Sequence, residues 1–157
     1  MQKQMILPPE ILYLQNGTEL HHCKGVVARI GSRKIYCSEQ GVFYSLSRRG
    51  LNPIIPFVTK NWHRKPNDHS NYPRLCGYVG NPACHRLVAR AWLGPKPSAE
   101  YVVDHINGVL ADCRAENLEW VTIEENVRRA KALRGLRKMG CDPRTMSREE
   151  LQEVFSV

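Results

Sequence analysis

The stretch YVVDHINGVLADCRAENLEWVTIEENVRRAKALRG, residues 101–135, decides how this chain is read. Tyr101-Val102-Val103 is a β-branched and aromatic run that ends in Asp104-His105, and such runs have strand character. Asn107-Gly108, most simply a turn, and Asp112-Cys113-Arg114 break the pattern as a loop. Leu118 to Val121 reads as a second strand. Thr122 with Glu125 three positions on is a capping-box arrangement that starts a helix. That helix is expected to run to Leu133 or Arg134 and close near Gly135, with Val127, Ala130 and Leu133 turned inward. The order is strand, loop, strand, helix.

The residues placed on this frame suit one kind of chemistry. Hydrolysing a phosphodiester needs an activated water, stabilised charge on the phosphoryl oxygens, and help for the leaving 3′ oxygen. Asp104 can offer oxygen to a hard cation while His105, beside it at a strand end, accepts a proton from water. Asn126, in the first turn of the helix, can return an oxygen to the same cation. Singly, each residue has a plainer reading: Asp104-His105 a surface pair, Asn117 a loop cap, Asn126 a helix-surface residue. The joint spacing is what counts, with Asn117 twelve residues after His105 and Asn126 nine further.

From HRLVARAWLG through VVDHING and ENLEWVT to EEN, about residues 85–127, the chain resembles the HNH endonucleases, particularly the small phage and intron-encoded homing enzymes. The resemblance implies an α+β protein: a ββα-metal (HNH) nuclease core with a small antiparallel β N-terminal module. It makes Asp104 and Asn126 metal ligands and His105 the general base. Asn117 would bridge the loop and hold the histidine ring in orientation. The third letter of the motif is asparagine here, a variant represented among phage enzymes. The implied cofactor is one divalent cation, Mg²⁺ or Mn²⁺, and the implied reaction is nicking of double-stranded DNA to 5′-phosphate and 3′-hydroxyl ends. Two positions depart from the pattern. Cys113 stands where the family often has asparagine, and the chain is too short after the core for a full C-terminal helix-turn-helix. The alternatives are an HNH-fold DNA-binding or regulatory protein without activity, and a non-specific nuclease. Retention of Asp104, His105, Asn117 and Asn126 together argues against the first.

Upstream, IYCSEQGVFYSL (35–46) reads as two strands around a turn at Glu39-Gln40-Gly41, followed by a basic tip at Arg48-Arg49-Gly50. Residues 52–73, rich in Pro and Asn with Trp62, His63, Arg64, Lys65 and Tyr72, read as a long exposed loop. Leu75–Val79 is expected as a strand, Gly80-Asn81-Pro82 as a turn, and His85–Leu93 as a helix with Leu87, Val88, Ala91 and Trp92 inward. His85 either contacts phosphate or packs, and packing is the plainer reading. Downstream, Ser147 and Glu150 form a second capping-box pattern before a short helix of undefined role.

The net charge of +8 and pI near 9.4 point towards a polyanion. Residues 1–80 carry 11 Lys/Arg against 4 Asp/Glu, and residues 81–157 carry 12 against 11, so most of the excess precedes the motif. The resulting division is 1–80 as a basic β-rich DNA-binding module, 81–135 as the nuclease core and 136–157 as a tail. Arg48, Arg49, Arg64, Lys65, Arg128, Arg129 and Lys131 are the candidate DNA contacts. The apolar start, MQKQMILPPEILYL, is broken by Pro8, Pro9 and Glu10, so neither a signal peptide nor a membrane span is read. Six cysteines without a C-x-x-C pair fit free, mostly buried thiols better than zinc held by Cys76, Cys84, Cys113 and a histidine. The reading is a cytoplasmic protein of a bacterial or phage-infected cell, a monomer or weak homodimer.

Overall fold

The computed structural model describes residues 10–13, 19–30, 33–47, 50–58, 72–75 and 82–156, with side chains for 35–45, 52–58, 72–75 and 82–156. All the strands pair antiparallel in two sheets and helices pack beside them, which makes the fold α+β. Five strands form an antiparallel meander in chain order: β1 (Glu10–Tyr13), β2 (Glu19–Ile30), β3 (Arg33–Ser38), β4 (Phe43–Ser47) and β5 (Gly50–Ile54). The turn between β3 and β4 falls at Glu39-Gln40-Gly41 as read, with Gly41 at φ 75°. Cys37 lies opposite Phe43, and Ile35 is two residues back along the same strand face. All three are fully buried against Leu87 and Val88 of α1 (Cys84–Trp92) and against Cys113 and Leu118. The hairpin and the motif therefore share one core.

β5 replaces the start of the loop expected from residue 52. Pro53 lies opposite Tyr44 at the outer strand of the sheet, where a missing N–H is tolerated. Beyond it, Phe57 pairs with Arg74, and Arg74 with Ala83. The expected strand after Leu75, most of the turn at 80–82, and Trp62, His63, Arg48, Arg49, Arg64 and Lys65 lie outside the described residues.

The motif itself is a two-stranded antiparallel sheet, β6 (Tyr101–His105) and β7 (Leu118–Thr122), followed by α2 (Ile123–Lys138) and α3 (Arg148–Phe155). α2 passes through Gly135 instead of ending there. A mid-helix glycine costs about 1 kcal/mol, and burying Leu136 against Leu133, Leu151 and Phe155 outweighs it. The stop comes at Gly140 (φ 81°), where the Gly140 amide donates to Arg137 O (3.2 Å) and the Cys141 amide to Leu136 O (3.0 Å), a Schellman closure. The division at 135/136 thus cuts a helix. The inward line of α2 also differs from the expected one: Arg129, Leu133 and Leu136 are buried, whereas Val127 is 48% exposed and Ala130 is exposed. α3 opens with a complete capping box between Ser147 and Glu150 and closes a second core over Ile106. Among the described residues, no helix is long and apolar enough to cross a membrane.

Candidate active site

β6 delivers Asp104 and His105 to the end of the motif sheet, and alternation sends them to opposite faces. Asp104 lies across from Glu119 in the strand register and faces α2. There the buried guanidinium of Arg129 donates to Glu119 (2.7 Å) and Glu125 (2.7 Å), and stands 3.6 Å from Asp104 Oδ2. Phe155 of α3 packs under Arg129, 4.9 Å from ring centre to guanidinium carbon, and Gln152 donates to Glu119 (3.2 Å). Burial raises the Asp104 carboxyl above its ordinary range, and Arg129 opposes the shift. Asp104 Oδ2 is buried and accepts no hydrogen bond.

His105 faces the other way. Its ring stacks on Tyr72 (centroids 5.6 Å, 24° between planes) and meets the His85 ring edge-on at 5.1 Å. Tyr72 also touches His85 at 4.4 Å. Burial lowers His105 to about 4 and His85 to about 3, so both rings are neutral near pH 7. His105 Nε2 and His85 Nδ1 are buried without a hydrogen-bond partner.

Asn117 performs one of the two tasks expected of it. Its Oδ1 accepts from the Asn107 amide (3.0 Å) and its Nδ2 donates to Asp112 O (2.9 Å), bridging the loop. These two bonds of the amide go to backbone, and it is Tyr72 and His85 that pack against the His105 ring. Asp112 adds bonds to Asn107 (2.9 Å) and Arg114 (2.9 Å), which lower its carboxyl. The hairpin turn grips the same loop: Ala115 N donates to Glu39 O (2.8 Å), and a Cβ on Gly41 would meet Cys113 O at 2.7 Å.

Asn126 is half-buried and lies three residues before Arg129, one turn earlier on the same side of α2. Arg129 is corrected as a DNA contact, because its side chain is 8% exposed and its guanidinium is committed to carboxylates. Arg128 is exposed but held by Glu125, and Lys131 is exposed. Thr122 caps α2 through the Glu125 amide (3.2 Å), yet the Glu125 carboxylate turns to Arg128 and Arg129 and leaves the box half made.

Sequence reading overlooked Glu119, Phe155 and Tyr72. Glu119 was recoverable, since a hairpin register that pairs His105 with Leu118 sets it beside Asp104. Tyr72 and Phe155 carry no local signal, because distant segments bring them to the site.

Residues 83–128 match the family model described as HNH endonuclease. The protein named Uncharacterized HNH endonuclease L247, from Acanthamoeba polyphaga mimivirus, is 57% identical over 47 residues, which are 29% of this chain and 12% of that protein. The chain thus spans only a small part of that relative. A solved structure described as DNA binding and cleavage by the HNH homing endonuclease I-HmuI shares 23% identity at a TM-score of 0.44, over 78% of this chain and 60% of that one. The matched segment contains Asp104, His105, Asn117 and Asn126 at the spacing read from the sequence, and it is this segment of the chain that is similar to the HNH endonucleases.

Proposed function

We propose that the protein is a metal-dependent endonuclease of the homing type that nicks double-stranded DNA. One observation carries the reading: within the family segment, Asp104 Oδ2 and His105 Nε2 are buried side by side in sequence, and neither has a hydrogen-bond partner. Buried polar atoms without a hydrogen bond cost about 1–3 kcal/mol each, offset in part at Asp104 by its 3.6 Å ion pair with Arg129, and they persist where a reaction uses them. A carboxylate oxygen and a side-chain amide suit a hard divalent cation, so Asp104 and Asn126 would hold Mg²⁺ or Mn²⁺. When bound, that ion would offset charge on the phosphate and the leaving oxygen.

His105, neutral and with Nε2 free, takes one proton from water. The water oxygen bonds to phosphorus as the bond to the 3′ oxygen breaks, and the 3′ oxygen takes a proton from solvent. Products are a 5′-phosphate and a 3′-hydroxyl. Because Asp104 and His105 face opposite sides of the sheet, the phosphate must straddle the end of β6. Lys131 and Arg128, with Arg48, Arg49, Arg64 and Lys65 of the basic N-terminal module (1–80), would hold the DNA backbone against the core (81–135). One site cuts one strand, so a monomer in the cytoplasm of a bacterial or phage-infected cell would nick, and a double-strand break would need a homodimer or successive nicks.

The test is relaxation of supercoiled plasmid carrying DNA from the gene's own neighbourhood, with Mg²⁺ or Mn²⁺. Nicking abolished by EDTA and by His105→Ala is the expected result. Salt-sensitive DNA binding without nicking, on a plasmid known to hold the target, would overturn it in favour of a binding module.

A further inference from the structure

His85 sits at the start of α1, twenty residues before His105 and outside the set that the motif spacing singles out. It is 4% exposed, and its ring lies between Tyr72 and His105. If this position served packing alone, an apolar ring would do better. A buried nitrogen without a partner weakens the fold by about 1–3 kcal/mol, which a phenylalanine would avoid. Such breaches of local consistency mark functional positions. The only other buried side-chain atoms without hydrogen-bond partners among the described residues are Asp104 Oδ2 and His105 Nε2. Two of the three thus sit on rings in edge-on contact, His85 and His105, and the third is on Asp104, the residue next to His105 on the opposite face of the strand.

We infer that His85 is a further catalytic residue of the nuclease centre: its Nδ1–H donates to a non-bridging oxygen of the phosphodiester on which His105 acts. The inference rests on the nuclease reading above. A neutral imidazole carries one N–H, and a donor aimed at a phosphoryl oxygen inside a water-poor site stabilises the charge that builds there. The substrate would thus supply a partner that no protein group supplies. Tyr72 holds the ring by contact and leaves Nδ1 unused.

The experiment compares wild type with His85→Phe in single-turnover nicking, DNA binding in Ca²⁺, and thermal melting. The expected result for the phenylalanine variant is an unchanged or higher Tm, DNA affinity within about twofold, and a nicking rate at least tenfold lower, in line with losing one donor to a phosphoryl oxygen. Asparagine and leucine are near-isosteric, so His85→Asn and His85→Leu form a second pair that differs mainly in the N–H. His85→Asn should nick faster than His85→Leu at similar Tm. Wild-type nicking by His85→Phe, or equal rates for the Asn and Leu variants, overturns the inference and leaves the nuclease reading standing. Failure of the wild type itself to nick overturns the nuclease reading, and this inference with it.

Discussion

Replacing Arg129 with methionine removes one cation from among three carboxylates. Arg129 makes two 2.7 Å bonds to Glu119 and Glu125, approaches Asp104 at 3.6 Å and keeps 8% of its side chain exposed. Breaking a fully buried ion pair from one side costs about 3–5 kcal/mol. Here the Glu119 and Glu125 side chains are 32% and 27% exposed and can turn to water, whereas Asp104 at 11% cannot. The loss should therefore lie at the low end, about 3 kcal/mol. The contact with Phe155 adds little, since a thioether also packs well on an aromatic ring. For a chain of this size about 3 kcal/mol lowers Tm by roughly 6–12 °C, measurable by urea melts and calorimetry at pH 7. Adding Glu119→Gln removes one stranded charge and should restore about 1 kcal/mol. A single-variant loss below about 1 kcal/mol, or a double variant no more stable than the single, would refute the picture of Arg129 as the counterion of this cluster. In the same preparations, Arg129→Met should leave the salt slope of DNA binding unchanged, while Lys131→Ala lowers it by about 1.

Acid should weaken the fold early. Both histidines have folded values below the ordinary 6.5, at about 3 and about 4, so the unfolded chain binds protons first and stability falls as pH drops below 6.5. At pH 5 each contributes a loss of about 2 kcal/mol; equal urea midpoints at pH 7 and pH 5 would contradict this. Gly41→Ala puts a Cβ 2.7 Å from Cys113 O at positive φ and should cost at least about 2 kcal/mol, whereas Gly140→Ala, with nothing within 4 Å, should cost about 1; equal losses in denaturant melts would contradict the close approach. Saturating Mn²⁺ at a hundredfold over its Kd should stabilise the wild type by about 2.7 kcal/mol. That gain should vanish in Asn126→Ala and survive in His105→Ala, and a thermal-shift titration showing the reverse would reassign the ligands.

Much of this fold is legible because its signals are local. The Asp104-His105 strand end, the Asn107-Gly108 turn, the Thr122 cap and the Ser147–Glu150 box each declare themselves within a few residues. The end of α2 was hidden because Gly135 is a local stop signal overruled by a tertiary one, the burial of Leu136 under α3. Periodicity misplaced its inward face for a related reason. Arg129 takes the central buried position, and no hydrophobicity pattern assigns a charged residue there. His85 left two readings open, since an imidazole serves both packing and chemistry and only the neighbours in space tell them apart.

The dependence of Arg129 on α3 sets an order of events during synthesis. Asp104, His105 and Asn126 leave the ribosome before Gln152 and Phe155, which brace Glu119 and Arg129. Until residue 155 has been added, Ile106, Leu133 and Leu136 lack the cover of the second core. A nascent chain would then carry every residue of the motif with the Asp104 side of its site unfinished.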